Sequence, residues 1–155
     1  MKTRTDTLCF VYEHPRILLG MKKRDFGKGK WNGFGGKVMA ETLEDAARRE
    51  TREECGLEIK SMEKRGILEF EFVNNPELIQ VHVFQVLEYS GEPSESEEMR
   101  PKWFHIDEIP FAEMWPDDVY WMPLFLRGKK FRGKFTFGEG GEILEKELEE
   151  VEKLD

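Results

Sequence analysis

The segment from Thr42 to Gly56, TLEDAARRETREECG, constrains the fold of this chain more than any other. It carries both end signals of a helix. Thr42 with Asp45 three residues on makes a capping-box-like start, and Gly56 stands where helices commonly stop. At about 100° per residue, Glu50, Glu53 and Glu54 share a sector with Leu43, Ala46 and Ala47, while Glu44, Arg48 and Arg52 point away. The stripe that must face a core is therefore continued by three carboxylates at i, i+3 and i+4. Such anions repel one another unless shifted pKa values, arginine partners or a multivalent cation compensate them. Arg49 can pair with Glu53 one turn on. Oxygen donors with no His or Cys beside them point to Mg²⁺ or Mn²⁺. Taken alone, the hexamer also reads as a solvated helix laced with Glu–Arg pairs. The apolar sector and the segment leading into the helix weigh against that.

That lead-in, residues 25–37 (DFGKGKWNGFGGK), holds five glycines among aromatic residues. Such density means tight turns or close backbone approach to a ligand, and its backbone groups can serve metal or phosphate. Thr7 to Val11 and Ile17 to Met21 read as strands paired across His14-Pro15. ILEFEFV, a turn at Asn74-Asn75-Pro76, and LIQVHVFQVL read as a second pair, with Ile79, Val81 and Val83 alternating with Gln80, His82 and Phe84. Glu92 to Arg100 is a polar loop and Lys102 to Ile106 a short strand. Met114 to Arg127 reads as helix or turn, and Phe131 to Phe137 as a strand. In the last segment, Leu144, Leu148, Val151 and Leu154 fall at helical spacing, which predicts a helix over Ile143 to Leu154. Strands mixed with helices, without strict alternation, give an α+β fold or an α/β/α sandwich.

With 39% hydrophobic and 36% charged residues in 155, the chain is expected to form one domain over residues 1–155. A formal net charge of −8 excludes holding a nucleic-acid polymer by bulk electrostatics. No apolar run reaches membrane-spanning or signal length, and Cys9 and Cys55 form neither a disulfide framework nor a zinc spacing. A cytoplasmic monomer without membrane attachment is the expectation.

The helix and its lead-in resemble the Nudix signature: Gly, five residues, Glu, seven residues, Arg-Glu, an apolar residue, any residue, Glu-Glu, any residue, Gly, apolar. Gly36, Glu41, Arg49-Glu50, Glu53-Glu54, Gly56 and Leu57 fall onto it. Four residues rather than five separate Gly36 from Glu41, and Thr51 occupies a position that is usually apolar. Beyond the signature, LLGMKKR, WNGFGGKV, FEFV, VHVF, EMRP and WPDD are similar to the MutT-type branch of that family, which acts on oxidised purine nucleoside triphosphates. The resemblance implies an α/β/α sandwich with a central mixed sheet. It implies hydrolysis of a modified purine (deoxy)nucleoside triphosphate, such as 8-oxo-dGTP or 2-hydroxy-dATP, to monophosphate and pyrophosphate.

The same resemblance implies that Glu50, Glu53, Glu54 and the Gly36 carbonyl bind Mg²⁺, with Glu98 as a further ligand or base. It places the purine against Asn32, Asp117 and Asp118, stacked on Trp115 and walled by Phe70, Phe72 and Met99. Thr7 and Lys22 lie toward sugar and phosphate, Phe26 lines the pocket and Trp121 supports it. Phosphoanhydride hydrolysis needs neutralised phosphates and an activated water. Glu50, Glu54 and Glu98 can each act as the base, and spacing does not choose among them. Asp117 and Asp118 cannot both ionise cheaply in an aromatic pocket, so one can keep a proton and donate while the other accepts. Judged on WPDD alone, they serve equally as a helix N-cap. Other Nudix substrates, such as ADP-ribose, dinucleoside polyphosphates or undamaged and alkylated dNTPs, and a non-catalytic nucleotide-binding module are the alternatives.

Overall fold

The computed structural model describes Lys2–Leu154, so the end residues 1 and 155 of the expected domain lie outside it. In chain order the strands are β1 (Lys2–Glu13), β2 (Arg16–Lys22), β3 (Trp31–Asn32) and β4 (Phe34–Lys37), followed by helix α1 (Leu43–Cys55). Then come β5 (Glu58–Phe72), β6 (Asn75–Ser90), β7 (Met99–His105), helix α2 (Asp118–Leu126), β8 (Lys130–Phe137) and β9 (Ile143–Val151). The strands form one mixed sheet in the order β3-β2-β1-β6-β5-β8-β9, with β4 also on β1 and β7 also on β2. β1 runs parallel to β6 and β5 parallel to β8; the other pairs are antiparallel.

One helix covers each face, which makes the molecule an α+β sandwich. Alternate β1 residues divide between the two cores. Cys9 and Val11 pack with Ala47, Cys55 and Leu57 on the α1 side. Phe10 packs with Trp121, Met122 and Phe125 on the α2 side. Because the sheet is covered on both faces, the alternation along β6 does not separate core from solvent. Phe84 is as buried as Val83, on the opposite face. Neither helix is long and apolar enough to cross a membrane.

The ends of α1 follow the sequence. Thr42 Oγ1 accepts from the Asp45 amide at 3.1 Å, and Gly56 closes the helix in the left-handed region at φ 79°. The expected C-terminal helix does not form. Residues Ile143–Val151 are β9, paired antiparallel with β8 from Phe137↔Ile143 to Lys130↔Val151. The reason is local and topological at once. Gly138 N–H donates to the Glu142 carbonyl at 2.8 Å and Gly141 has φ 84°, so the chain reverses tightly after β8. A segment delivered there lies against an edge whose backbone groups need partners, and strand pairing satisfies them. Leu148 meets the core, whereas Leu144 is left exposed.

Candidate active site

α1 brings the signature glutamates to the edge of a cavity, but the three differ in environment. Glu54 is 5% exposed, and its carboxylate accepts from the Gly35 amide at 2.9 Å. Burial pushes its pKa up to about 8; the Gly35 amide opposes the rise and the charge of Glu50 adds to it. Glu50 is also pushed up by burial, against the hydrogen bond from Arg49 at 2.7 Å. Glu53 departs from the expected buried sector: its side chain is 57% exposed and stands 3.5 Å from Arg49. An ideal 100° wheel places it at the rim of the stripe, and the rim here is open to solvent.

Arg49 organises this corner. It is bonded to both oxygens of Glu41 at 3.0 and 2.7 Å and donates to the Lys37 carbonyl at 3.2 Å. Glu41 is held down to about 2 by that arginine. The expected Arg49–Glu53 contact is therefore present, but it is the longest of Arg49's carboxylate contacts. Gly36 leaves room for Glu50, since a Cβ there would stand 2.9 Å from the carboxyl carbon. Gly35 was not singled out by the sequence reading. A Cβ on it would lie 1.9 Å from the Thr7 carbonyl oxygen, so only glycine fits while its amide serves Glu54. The signal was available: five residues separate Gly35, not Gly36, from Glu41.

Glu98 is near but engaged elsewhere. It accepts from Lys22 Nζ at 3.0 Å and from Arg24 Nη2 at 2.7 Å, and these cations, Arg24 foremost, hold it below the usual carboxylate range. Ser96 Oγ donates to the Glu54 carbonyl at 2.7 Å and ties this loop to the end of α1. Among the described residues no three His, Cys, Asp or Glu side chains stand close enough to hold one metal ion. The fold gathers the expected ligands at one corner, with arginine and lysine on three of them.

From Glu54 a cavity of about 320 Å³ runs between the sheet and α2. It is lined by Thr7, Lys22, Phe26, Asn32, Gly36, Phe70, Phe72, Met99, Trp115, Asp117 and Asp118, which the sequence reading had named. Trp121 is fully buried beneath it and donates from Nε1 to Asp117 Oδ2 at 2.8 Å. Glu50, Glu53 and Glu98 stand outside the lining. Leu8, Lys30 and Phe137 were missed. Phe137 stacks on Phe72 at 5.2 Å and 23°, and Lys30 Nζ lies 5.3 Å from the Trp115 ring centre. No short-range pattern marks these three, since strand pairing and the glycine-rich turn bring them in. Phe26, 70% exposed, reaches over the mouth to Trp115, with ring centres 5.0 Å apart.

Asp117 and Asp118 are each 3% exposed. Asp117 occupies the N-cap position of α2, yet its side chain makes no capping bond and turns to Trp121 instead. The capping alternative fails on that geometry. Burial raises Asp117, and burial together with the Asp117 charge raises Asp118 much further. Two carboxyls buried this close do not both ionise, so the pair keeps a proton between them. Asp118 Oδ2 and the buried hydroxyl of Thr7 make no hydrogen bond among the described residues. Both belong to residues that line the cavity, where a polar ligand can satisfy them.

A family model, the NUDIX domain, matches residues 2–125. The chain is 54% identical over 153 residues to the oxidized purine nucleoside triphosphate hydrolase of Mus musculus, covering 98% of each chain. It is 55% identical over 149 residues to the protein of the same name from Danio rerio, covering 96% of each. Among solved structures, the MutT protein of Bacillus halodurans superposes with a TM-score of 0.84 at 27% identity, over 94% of this chain and 97% of that one.

Proposed function

The chain belongs to the Nudix family, and on that premise we propose that it hydrolyses oxidised purine nucleoside triphosphates to monophosphate and pyrophosphate. The observation that carries this reading is the joining of two chemistries in one cavity: the buried Glu54 at one end and the buried pair Asp117/Asp118 at the other. An 8-oxoguanine or 2-hydroxyadenine edge carries donors and acceptors that the normal base lacks at those positions. One of Asp117 and Asp118 donates while the other accepts, Asn32 adds an amide, and Trp115 and Phe72 supply apolar faces.

The donor set suits Mg²⁺. It is oxygen throughout, and Glu54 is a buried carboxyl with no arginine partner, so a divalent cation favours its ionised form. Glu50, Glu53, Glu54, Glu98 and the Gly36 carbonyl would have to draw together from their present ion pairs to hold the ion, which would supply charge neutralisation and an acidified water when bound. The protein's own part is to hold those carboxylates through Arg49, Lys22 and Arg24, to grip the base, and to keep water from its edge. Glu50, Glu54 and Glu98 remain the candidates for the base. The reading includes a single domain working as a cytoplasmic monomer; the two cysteines, both free and buried, agree with a reducing compartment.

The test is a substrate panel with Mg²⁺: dGTP, 8-oxo-dGTP, dATP, 2-hydroxy-dATP, O6-methyl-dGTP and ADP-ribose. Pyrophosphate release selective for modified purines is expected. Equal turnover of all triphosphates, or of none, overturns the sanitising role.

A further inference from the structure

Arg4 and Asp6 lie two residues apart on β1, on the face that carries Leu8 into the base cavity. Nε and Nη2 of Arg4 donate to the two oxygens of Asp6 at 2.7 and 3.1 Å. The Asp6 side chain is 17% exposed. Both residues line the base cavity and also a second cavity of about 430 Å³, bounded by Asn74, Glu77 and Glu139, that opens from the same mouth. None of the roles proposed above uses this pair.

The strand register places it beside the glycine-rich segment at the α1 corner. Leu8 is opposite Gly35, whose amide holds Glu54, and Asp6 is opposite Lys37, next to Gly36. Asp117 and Asp118 enter from α2. A nucleotide with its base on that pair and its phosphates at the Gly36–Glu54 corner spans the cavity whose wall includes Asp6, so its sugar comes within reach of that wall. Besides the Thr7 hydroxyl, β1 presents at this mouth a carboxylate fixed in position by a bidentate arginine. Two of its acceptor directions are taken by Arg4, and others remain for a donor. Sugar hydroxyls are donors of that kind.

We infer that Asp6, held by Arg4, accepts a hydrogen bond from a sugar hydroxyl and makes the enzyme discriminate among sugars. This rests on the proposed function for the orientation of the nucleotide. Hydrogen bonds to a charged acceptor correspond to roughly tenfold or more in affinity. Binding of 8-oxoguanine monophosphates carrying ribose, 2′-deoxyribose or 2′,3′-dideoxyribose is compared by calorimetry in the parent protein, Asp6→Asn and Asp6→Ala. Thermal melting checks that each variant is folded. The parent is expected to bind the sugars with hydroxyls about tenfold more tightly than the dideoxy sugar. Asp6→Ala should bring all three within about twofold of one another, and Asp6→Asn, which keeps an acceptor, should fall between. A purely structural role would weaken all three equally. Undiminished discrimination in Asp6→Ala, or none in the parent, overturns the inference. The substrate panel reports on hydrolysis separately, so an inactive parent that still discriminates sugars would sink the activity and leave the inference standing.

Discussion

The two acidic ends of the cavity handle negative charge in opposite ways. At the α1 corner, Glu41, Glu50 and Glu98 are matched by Arg49, Arg24 and Lys22, and Glu53 reaches solvent. Glu54 is buried and forms no ion pair among the described residues, with Lys22 acting on it only at longer range. At the α2 end Asp117 and Asp118 are buried together without an ion pair among the described residues, and burial favours their holding a proton. A corner already built around cations suits phosphate and metal. A proton-sharing pair suits a neutral base, whose donors and acceptors it can read without ionising.

The comparison breaks most visibly at Glu54. Glu54→Gln should lower kcat by roughly 10³-fold or more while leaving the preference among bound bases intact. Pyrophosphate release and monophosphate binding measure the two separately, and a change in base preference would mean the ends are not independent. Next comes Asp117→Asn, which replaces an acceptor by a donor facing the base. Preference between 8-oxo-dGTP and dGTP should change by about 10- to 100-fold in kcat/KM, with a smaller change in kcat on the preferred substrate. Equal losses on both substrates would remove Asp117 from base recognition.

The smallest effect is on stability. In the metal-free protein the folded pKa of Glu54 is raised from 4.5 to about 8, so the folded state keeps a proton that the unfolded chain releases. Stability from that proton is full below about 4.5 and is lost as pH rises through about 8. His82, lowered from 6.5 to about 4 by burial, acts in the opposite sense between those values. The clean window therefore runs from pH 6.5 to about 8, because above it the buried thiols of Cys9 and Cys55, raised from 9.0, add a slope of the same sign. Melting of the chelator-treated protein should fall through that window, and Glu54→Gln should make it shallower. Some slope should persist, because Asp117 and Asp118 are raised in the same sense. An unchanged slope in the variant would mean that Glu54 titrates normally.

Much of the site was legible because its residues announce themselves locally. Cap, apolar sector and carboxylate spacing are all properties of one helix, and they recur in the structure at Thr42, Ala46, Ala47 and Gly56. The resemblance extended that reading to the aromatic wall and the WPDD run, whose residues do meet in one cavity. Leu8 and Phe137 escaped notice because a strand residue reveals its face only once its partner strands are known. The last strand departs from its helical spacing for a related reason. Leu144, Leu148 and Val151 have helical spacing, but the tight turn at Gly138–Gly141 delivers them to the unpaired edge of β8.

By itself, then, the sequence determined α1, its caps and the oxygen-only chemistry of its glutamates, because these depend on spacing within a few turns. Tertiary structure decided which glutamate is buried, that Glu98 rests on Lys22 and Arg24, and that Asp117 and Asp118 are buried together and pushed up. Those outcomes depend on desolvation and on charges brought close from distant parts of the chain. Neither exists until the sheet has closed between its two helices.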